Sequence, residues 1–185
     1  MALTKTPVCD FGKKAEDFKL KSIENKIISL NDVKGEKATL IMFICNHCPY
    51  VKAIIRDLAK DCNQLKKDGI SSVAIMSNDT KNYPEDSFDN MIKFAKANNF
   101  GETNYLFDET QDIAKKYGAV CTPDFFGYNN DLKLHYRGRY RELKDLKPTS
   151  DDDSDLKVAM KMISETQAGP KEQIPSMGCN IKWFK

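Results

Sequence analysis

Apolar positions fall into two alternating rhythms along the chain. Residues 38–44 form a short apolar run rich in branched side chains, the pattern of a strand buried on both faces. Val51, Ile55, Leu58, Cys62 and Leu65 follow at spacings of three and four, which predicts an amphipathic helix over 49–67. Pro49 suits the first turn of that helix and Gly69 its end. Residues 70–76 supply a second buried strand. Pro84 opens another helix carrying Phe88, Met91, Ile92 and Ala95, 105–107 is a brief strand, and 111–117 is a short helix closed by Gly118. Residues 125–128 and 132–136, joined by Asn129-Asn130-Asp131, read as an antiparallel hairpin, and the last helix spans 154–168 before Gly169-Pro170 stops it. Ahead of all these, 18–20 and 26–30 read as a short hairpin or two edge strands.

Strand-helix-strand-helix followed by a hairpin and a final helix is an α/β order with a mixed central sheet flanked by helices. It predicts one domain over 1–169, with 170–185 as a tail packing on it and Trp183 as its anchor. Composition agrees: 185 residues with 41% hydrophobic and 30% charged side chains exclude intrinsic disorder. The 29 basic and 27 acidic residues leave a net charge of +2, too weak a field to make nucleic acid a principal partner. Arg137, Arg139, Arg141 and Lys144 are interrupted by Glu142 and Asp145 and read as a solvated face. The chargeless run 38–51 falls short of the about 20 apolar residues of a membrane helix and contains Asn46, His47 and Pro49. Lys5 and Pro7 interrupt the start where a secretory signal would be apolar, so the expected location is the cytoplasm.

Chemistry concentrates in six cysteines, at 9, 45, 48, 62, 121 and 179. Only Cys45 and Cys48 are close in sequence, and they fall where the buried strand ends and the long helix begins. In a reducing compartment such a pair points to redox chemistry or metal binding before a structural disulfide. A thiol at a helix amino terminus meets unpaired N–H groups and the positive end of the dipole, and a protonated His47 would add to that field. Cys45 is therefore the expected nucleophile, with Cys48 a turn into the helix as the resolving thiol. A closed zinc site needs four ligands, and Cys121, Cys179 or a histidine would have to complete it, so redox chemistry is preferred. Thr122-Pro123 precedes a later strand and reads as a cis-proline turn exposing backbone groups beside the thiols. Cys62 lies on the apolar stripe and reads as core. Cys121 either tunes the pair or packs. Cys179 reaches the pair only if the tail folds back, so it is read first as packing and second as an auxiliary thiol. Cys9 carries no argument.

Cys-x-x-Cys at a strand-helix junction with a downstream Thr-Pro resembles the thioredoxin fold, and Phe18-Lys19-Leu20, Ser29-Leu30 and Val33-Lys34-Gly35 resemble the amino-terminal β extension of redoxin domains. Five blocks carry a closer likeness: Cys45-Asn46-His47-Cys48-Pro49-Tyr50-Val51; Ser77-Asn78-Asp79 with Tyr83-Pro84-Glu85-Asp86; Cys121-Thr122-Pro123-Asp124-Phe125-Phe126; Tyr136-Arg137-Gly138-Arg139; and Pro175 to Trp183. Together they resemble a peroxiredoxin-like redoxin group, related to alkyl hydroperoxide reductase and thiol-specific antioxidant proteins.

The resemblance implies a thiol-disulfide oxidoreductase with no bound cofactor and no metal, acting on protein or small-molecule disulfides and recharged by a cellular dithiol. Asn46, His47, Cys121, Thr122 and Pro123 are the expected tuning and substrate-contacting residues. Peroxiredoxins carry Pro-x-x-x-Thr-x-x-Cys; with Cys48 as that cysteine, Ile41 and Cys45 occupy the proline and threonine places. Reduction of hydroperoxides is thus the alternative, and a redox-sensing or metal-holding module is a third. The strand 40–44 lacks the buried acid of typical thioredoxins, which leaves the proton acceptor for Cys48 unassigned. His47 stands where those proteins have proline, and it is expected to shift the poise toward more oxidising values.

Overall fold

The structure, a computed structural model, describes residues 3–7 and 10–185; Cys9 lies outside the described residues. Elements run in the order β1 (Leu3–Lys5), β2 (Lys19–Ser22), β3 (Ile27–Ser29), α1 (Leu30–Val33), β4 (Ala38–Phe43), α2 (Pro49–Lys67), β5 (Ile70–Met76), α3 (Phe88–Ala97), β6 (Asn104–Phe107), α4 (Asp112–Tyr117), β7 (Cys121–Thr122), β8 (Asp124–Asn129), β9 (Leu134–Tyr136), β10 (Leu143–Lys144), β11 (Lys147–Pro148), α5 (Asp155–Thr166) and β12 (Met177–Asn180). Seven strands form the central sheet in the order β3-β2-β6-β5-β4-β8-β9. β4 is parallel to β5 and antiparallel to β8, and β5 is parallel to β6, so the sheet is mixed.

β4 is buried at every position because both sheet faces are covered. Leu40, Met42 and Ile44 project into a core shared with Ile55, Leu58 and Leu65 of α2 and Met160 and Ile163 of α5. The alternate residues Ile41 and Phe43 face a second core with Val33 of α1, Ile113 and Tyr117 of α4, and Phe126. Period-two alternation in β4 and the helical stripe of α2 thus meet on one face. This packing fixes the junction 44–48 between the strand and the helix.

Three short strands escape the hydrophobic pattern. β1, β12 and β7 make a separate antiparallel sheet, with Cys179 opposite Leu3 on one side and Thr122 on the other. Gly178 makes the close approach possible, since a Cβ there would collide with the Thr122 carbonyl oxygen. Beyond β12, the Lys182 amide donates to Asn78 Oδ1 at 2.9 Å, while Gln111 donates to the Lys182 carbonyl at 2.8 Å and accepts from the Phe184 amide at 2.9 Å. Gln111 caps α4 from a left-handed conformation (φ 66°) and does not join the helix, freeing its side chain for this tie. Ile181 is 1% exposed whereas Trp183 is 38% exposed, so Ile181 and the Lys182 backbone hold the segment where Trp183 was expected to.

Arg137 corrects another expectation. It is buried and ion-paired to the fully buried Asp124 at 2.9 Å, with its guanidinium over the Phe126 ring, so it does not belong to a solvated basic face. No helix among the described residues is long and apolar enough to cross a membrane.

Candidate active site

The helix of α2 begins at Pro49, and Cys48 is its N-cap. Cys48, expected a turn into the helix, therefore occupies the terminus itself, while Cys45 stands in the connection that leaves β4. Both are buried. Thr122-Pro123 is cis, and it brings Thr122 against both sulfurs: Cys45 Sγ lies 3.3 Å from Thr122 Oγ1, and Cys48 Sγ lies 3.1 Å from the Thr122 carbonyl oxygen.

Hydrogen bonding and burial move the two thiols in opposite directions. Cys48 is held down to about 5, first by the hydrogen bond from the Cys45 thiol and then by the Cys179 thiol and the Val51 and Cys179 amides, against the cost of burial. The Thr122 carbonyl favours the protonated form, but the converging donors outweigh one acceptor. Cys45 is raised well above its ordinary value by donating that hydrogen bond to Cys48, by burial and by the Asp86 carboxylate. Acidity is thus shifted toward Cys48 and away from Cys45. An absorbance titration of the reduced protein at 240 nm should reveal a thiolate with a midpoint near 5, absent from Cys48→Ser and moved upward in Cys45→Ser, which lacks the strongest donor.

His47 does not act on Cys45 as a free imidazolium. Its Nδ1 is 4.0 Å from Cys45 Sγ but 2.7 Å from Asp86 Oδ2, and its ring stacks on Tyr83. The Asp86 hydrogen bond raises the imidazole pKa above its ordinary 6.5 against the effect of burial. Because the folded value is raised, the pair stabilises the fold fully below about pH 6.5 and loses that contribution as pH rises through the raised value. Asp86→Asn should bring the His47 midpoint down in a proton NMR titration; a midpoint unmoved by that change would mean the carboxylate does not govern the imidazole.

Asp86 was not singled out for a role in the sequence, and it organises this side of the site. It accepts from the Asn46 amide at 2.8 Å and from Asn78 Nδ2 at 2.7 Å in addition to His47. Asn46 is locked as well, donating to the Glu85 carbonyl and accepting from the Tyr105 hydroxyl. The helix expected from Pro84 starts instead as a 3-10 turn, Pro84–Asp86, and the α-helix follows only after Ser87 in extended conformation. That break turns Asp86 inward. Cys45, His47 and Asp86 offer ligand atoms within 4.8 Å of one another. This is one ligand short of a closed zinc set, and the His47 and Asp86 atoms are already joined by a hydrogen bond.

Of the remaining thiols, Cys62 is core on α2, pushed up to about 11 by burial. Cys121 is buried, raised by burial and by Asp124, and donates to the Pro123 carbonyl. Cys179 is the residue whose place sequence reading could not supply. β12 carries its Sγ to 3.0 Å from Cys48 Sγ.

A thiol pair between the central strand and its helix, facing a cis X-Pro peptide on a mixed sheet flanked by helices, defines a redoxin of thioredoxin-like fold. The chain belongs to the AhpC/TSA family, whose model matches residues 11–140. Among solved structures it is similar to an uncharacterized conserved protein from Geobacillus kaustophilus, at 41% identity and a TM-score of 0.89 over 100% of this chain and 97% of that one. A hypothetical protein from Sinorhizobium meliloti gives 35% identity and 0.90 over 98% of each chain. The thioredoxin domain of a thiol-disulfide oxidoreductase from Bacteroides vulgatus shares the fold at 19% identity, with a TM-score of 0.59 over 70% of this chain and 89% of that one. No match is found among the curated proteins.

Proposed function

We propose that the protein catalyses dithiol-disulfide exchange through Cys45 and Cys48. The observation that carries this reading is geometric: Cys48 is the N-cap of α2, Cys45 stands just before it, and cis Thr122-Pro123 sets Thr122 within 3.3 Å of one sulfur and 3.1 Å of the other. Cys45 passes its proton to the Cys48 sulfur, which accepts its hydrogen bond, and attacks the substrate disulfide. One substrate sulfur leaves as a thiol, taking the proton from Cys48 and so regenerating its thiolate, and the other stays bonded to Cys45. Cys48 then displaces it, closing the Cys45–Cys48 disulfide. The acceptor for the Cys45 proton is thus the partner thiolate, with no buried carboxylate required.

Protein or small-molecule disulfides are the substrates in this reading, and a cellular dithiol returns the pair to the reduced state in the cytoplasm. A cavity of about 450 Å³ beside Pro123, lined by Tyr50, Ile54, Tyr140 and Ile174 and by the charged Lys5, Arg139, Arg141 and Asp145, offers apolar and charged contacts for groups flanking the substrate disulfide. Stabilisation of the reduced pair by the low Cys48 pKa makes its disulfide a stronger oxidant than that of thioredoxin. Equilibration in glutathione buffers is expected to give a potential between about −270 and about −180 mV. No equilibrium disulfide at Cys45 and Cys48 across that range would overturn the reading.

Family membership and the Thr122 hydroxyl beside Cys45 favour a second reading, hydroperoxide reduction, in which a thiolate becomes a sulfenic acid and the peroxide an alcohol or water. Ile41 and Cys45 at the places of the peroxidase proline and threonine weigh against it. Stopped-flow mixing with hydrogen peroxide separates the two: disulfide exchange alone leaves a rate no faster than that of a free thiol.

A further inference from the structure

We propose that Cys179 is a third redox thiol, which takes over the Cys48 end of the disulfide and closes a Cys48–Cys179 bond. This rests on the dithiol reading above and extends it to an internal relay. Cys48 is the sulfur common to both pairs: it shares Thr122 with Cys45, three residues before it, and lies 3.0 Å from Cys179 Sγ on the other side. That approach is inside ordinary sulfur contact and leaves about 1 Å to the bonded distance of about 2.05 Å.

The position is built by the fold. Cys179 pairs across the strands with Thr122, whose own atoms touch both Cys45 and Cys48. Gly178 admits β12 to this depth, Ser176 donates to the Pro123 carbonyl at 2.7 Å, and the Ile181 amide donates to the Val120 carbonyl. Hydrogen bonds before and after Cys179 thus tie the segment to the cis-proline turn and to the connection that leads into β7, and its sulfur is delivered by a fixed strand.

The step balances without an added oxidant. With Cys45–Cys48 oxidised by substrate, Cys179 sulfur attacks Cys48 sulfur; the Cys48–Cys179 bond forms, the Cys45–Cys48 bond breaks, and Cys45 leaves with the electron pair. The proton lost by Cys179 is balanced by one gained at Cys45, so the step leaves the net charge of the site unchanged. In the reduced protein Cys179 is pushed up to about 12 by burial and by the Cys48 thiolate. Oxidation of Cys48 removes the thiolate, so Cys179 becomes easier to ionise when a disulfide is there to attack. Cys62, a core thiol of α2, serves as an internal control.

Disulfide mapping tests this. Wild-type protein is equilibrated in glutathione buffers, acid-quenched, alkylated and digested for mass spectrometry. Two intramolecular disulfides are expected, Cys45–Cys48 and Cys48–Cys179. Each isomer holds one disulfide and one thiol, so their ratio should stay constant while the buffer potential changes. Cys179→Ser and Cys179→Ala should lose the second isomer completely, and Cys45→Ser should still close Cys48–Cys179. Wild-type protein yielding Cys45–Cys48 alone, with Cys179 fully alkylated, overturns the relay and leaves the dithiol reading intact. Absence of Cys45 and Cys48 from every disulfide overturns both. The wild-type map decides without any variant having to fold.

Discussion

Arg137→Ala should lower the stability of the protein by about 3 to 5 kcal/mol, roughly 10 °C in melting temperature for a chain of this size. Asp124 is fully buried, and burial raises its carboxyl pKa while Arg137 opposes the rise. Arg137 meets it with two nitrogens, at 2.9 and 3.3 Å, and donates to the Gly118 carbonyl at 2.8 Å. Removing the cation leaves a carboxylate that must stay charged without a partner or take up a proton. Arg137→Lys should recover little, because an ammonium cannot reproduce this forked contact. Arg137→Ala combined with Asp124→Asn should recover part of the loss, since the uncompensated charge is gone. Calorimetry on the variants checks the order; a loss below about 1 kcal/mol for Arg137→Ala would mark the pair as no stronger than a surface ion pair. The effect bears on function because Asp124 follows Pro123 and accepts the Val120 amide, bracketing the cis-proline turn.

Turnover carries the second large effect. Cys45→Ser and Cys48→Ser should each reduce steady-state disulfide reduction to background, for different reasons. Cys45→Ser removes the attacking sulfur. Cys48→Ser removes both the acceptor of the Cys45 proton and the sulfur that releases bound substrate, so it should stop at the mixed disulfide after one event. Cys62→Ser, altering a core thiol away from the pair, should keep the wild-type rate per folded molecule. Equal turnover in all three variants would place the chemistry outside the pair.

Much of this architecture is legible in the hydrophobic pattern, because long elements buried on a whole face repeat their period several times. The 38–44 run and the stripe from Val51 to Leu65 give β4 and α2 to within a residue, and with them the junction that holds the thiols. Elements of two to four residues repeat no period. β1, β7 and β12 are therefore invisible until they pair, and the sheet that delivers Cys179 is invisible with them. Burial polarity is equally hidden. In Tyr83-Pro84-Glu85-Asp86 nothing in the residue types says which carboxylate turns inward, yet Asp86 accepts three hydrogen bonds that orient His47 and Asn46. A similar limit applies to the expected place of Cys48 a turn into the helix. The helix dipole acts on whichever sulfur stands at the terminus, and the N-cap is Cys48.

The redox account rests on Cys45 taking substrate and Cys48 releasing it, and trapping tests that division most directly. Reduced Cys48→Ser protein is mixed with oxidised glutathione, quenched in acid and mapped by mass spectrometry. The expected result is one glutathione per chain, bonded to Cys45 and stable until an external thiol is added. Glutathione found instead on Cys62, Cys121 or Cys179 with Cys45 unmodified, or no adduct under conditions that oxidise the wild-type pair, would contradict it.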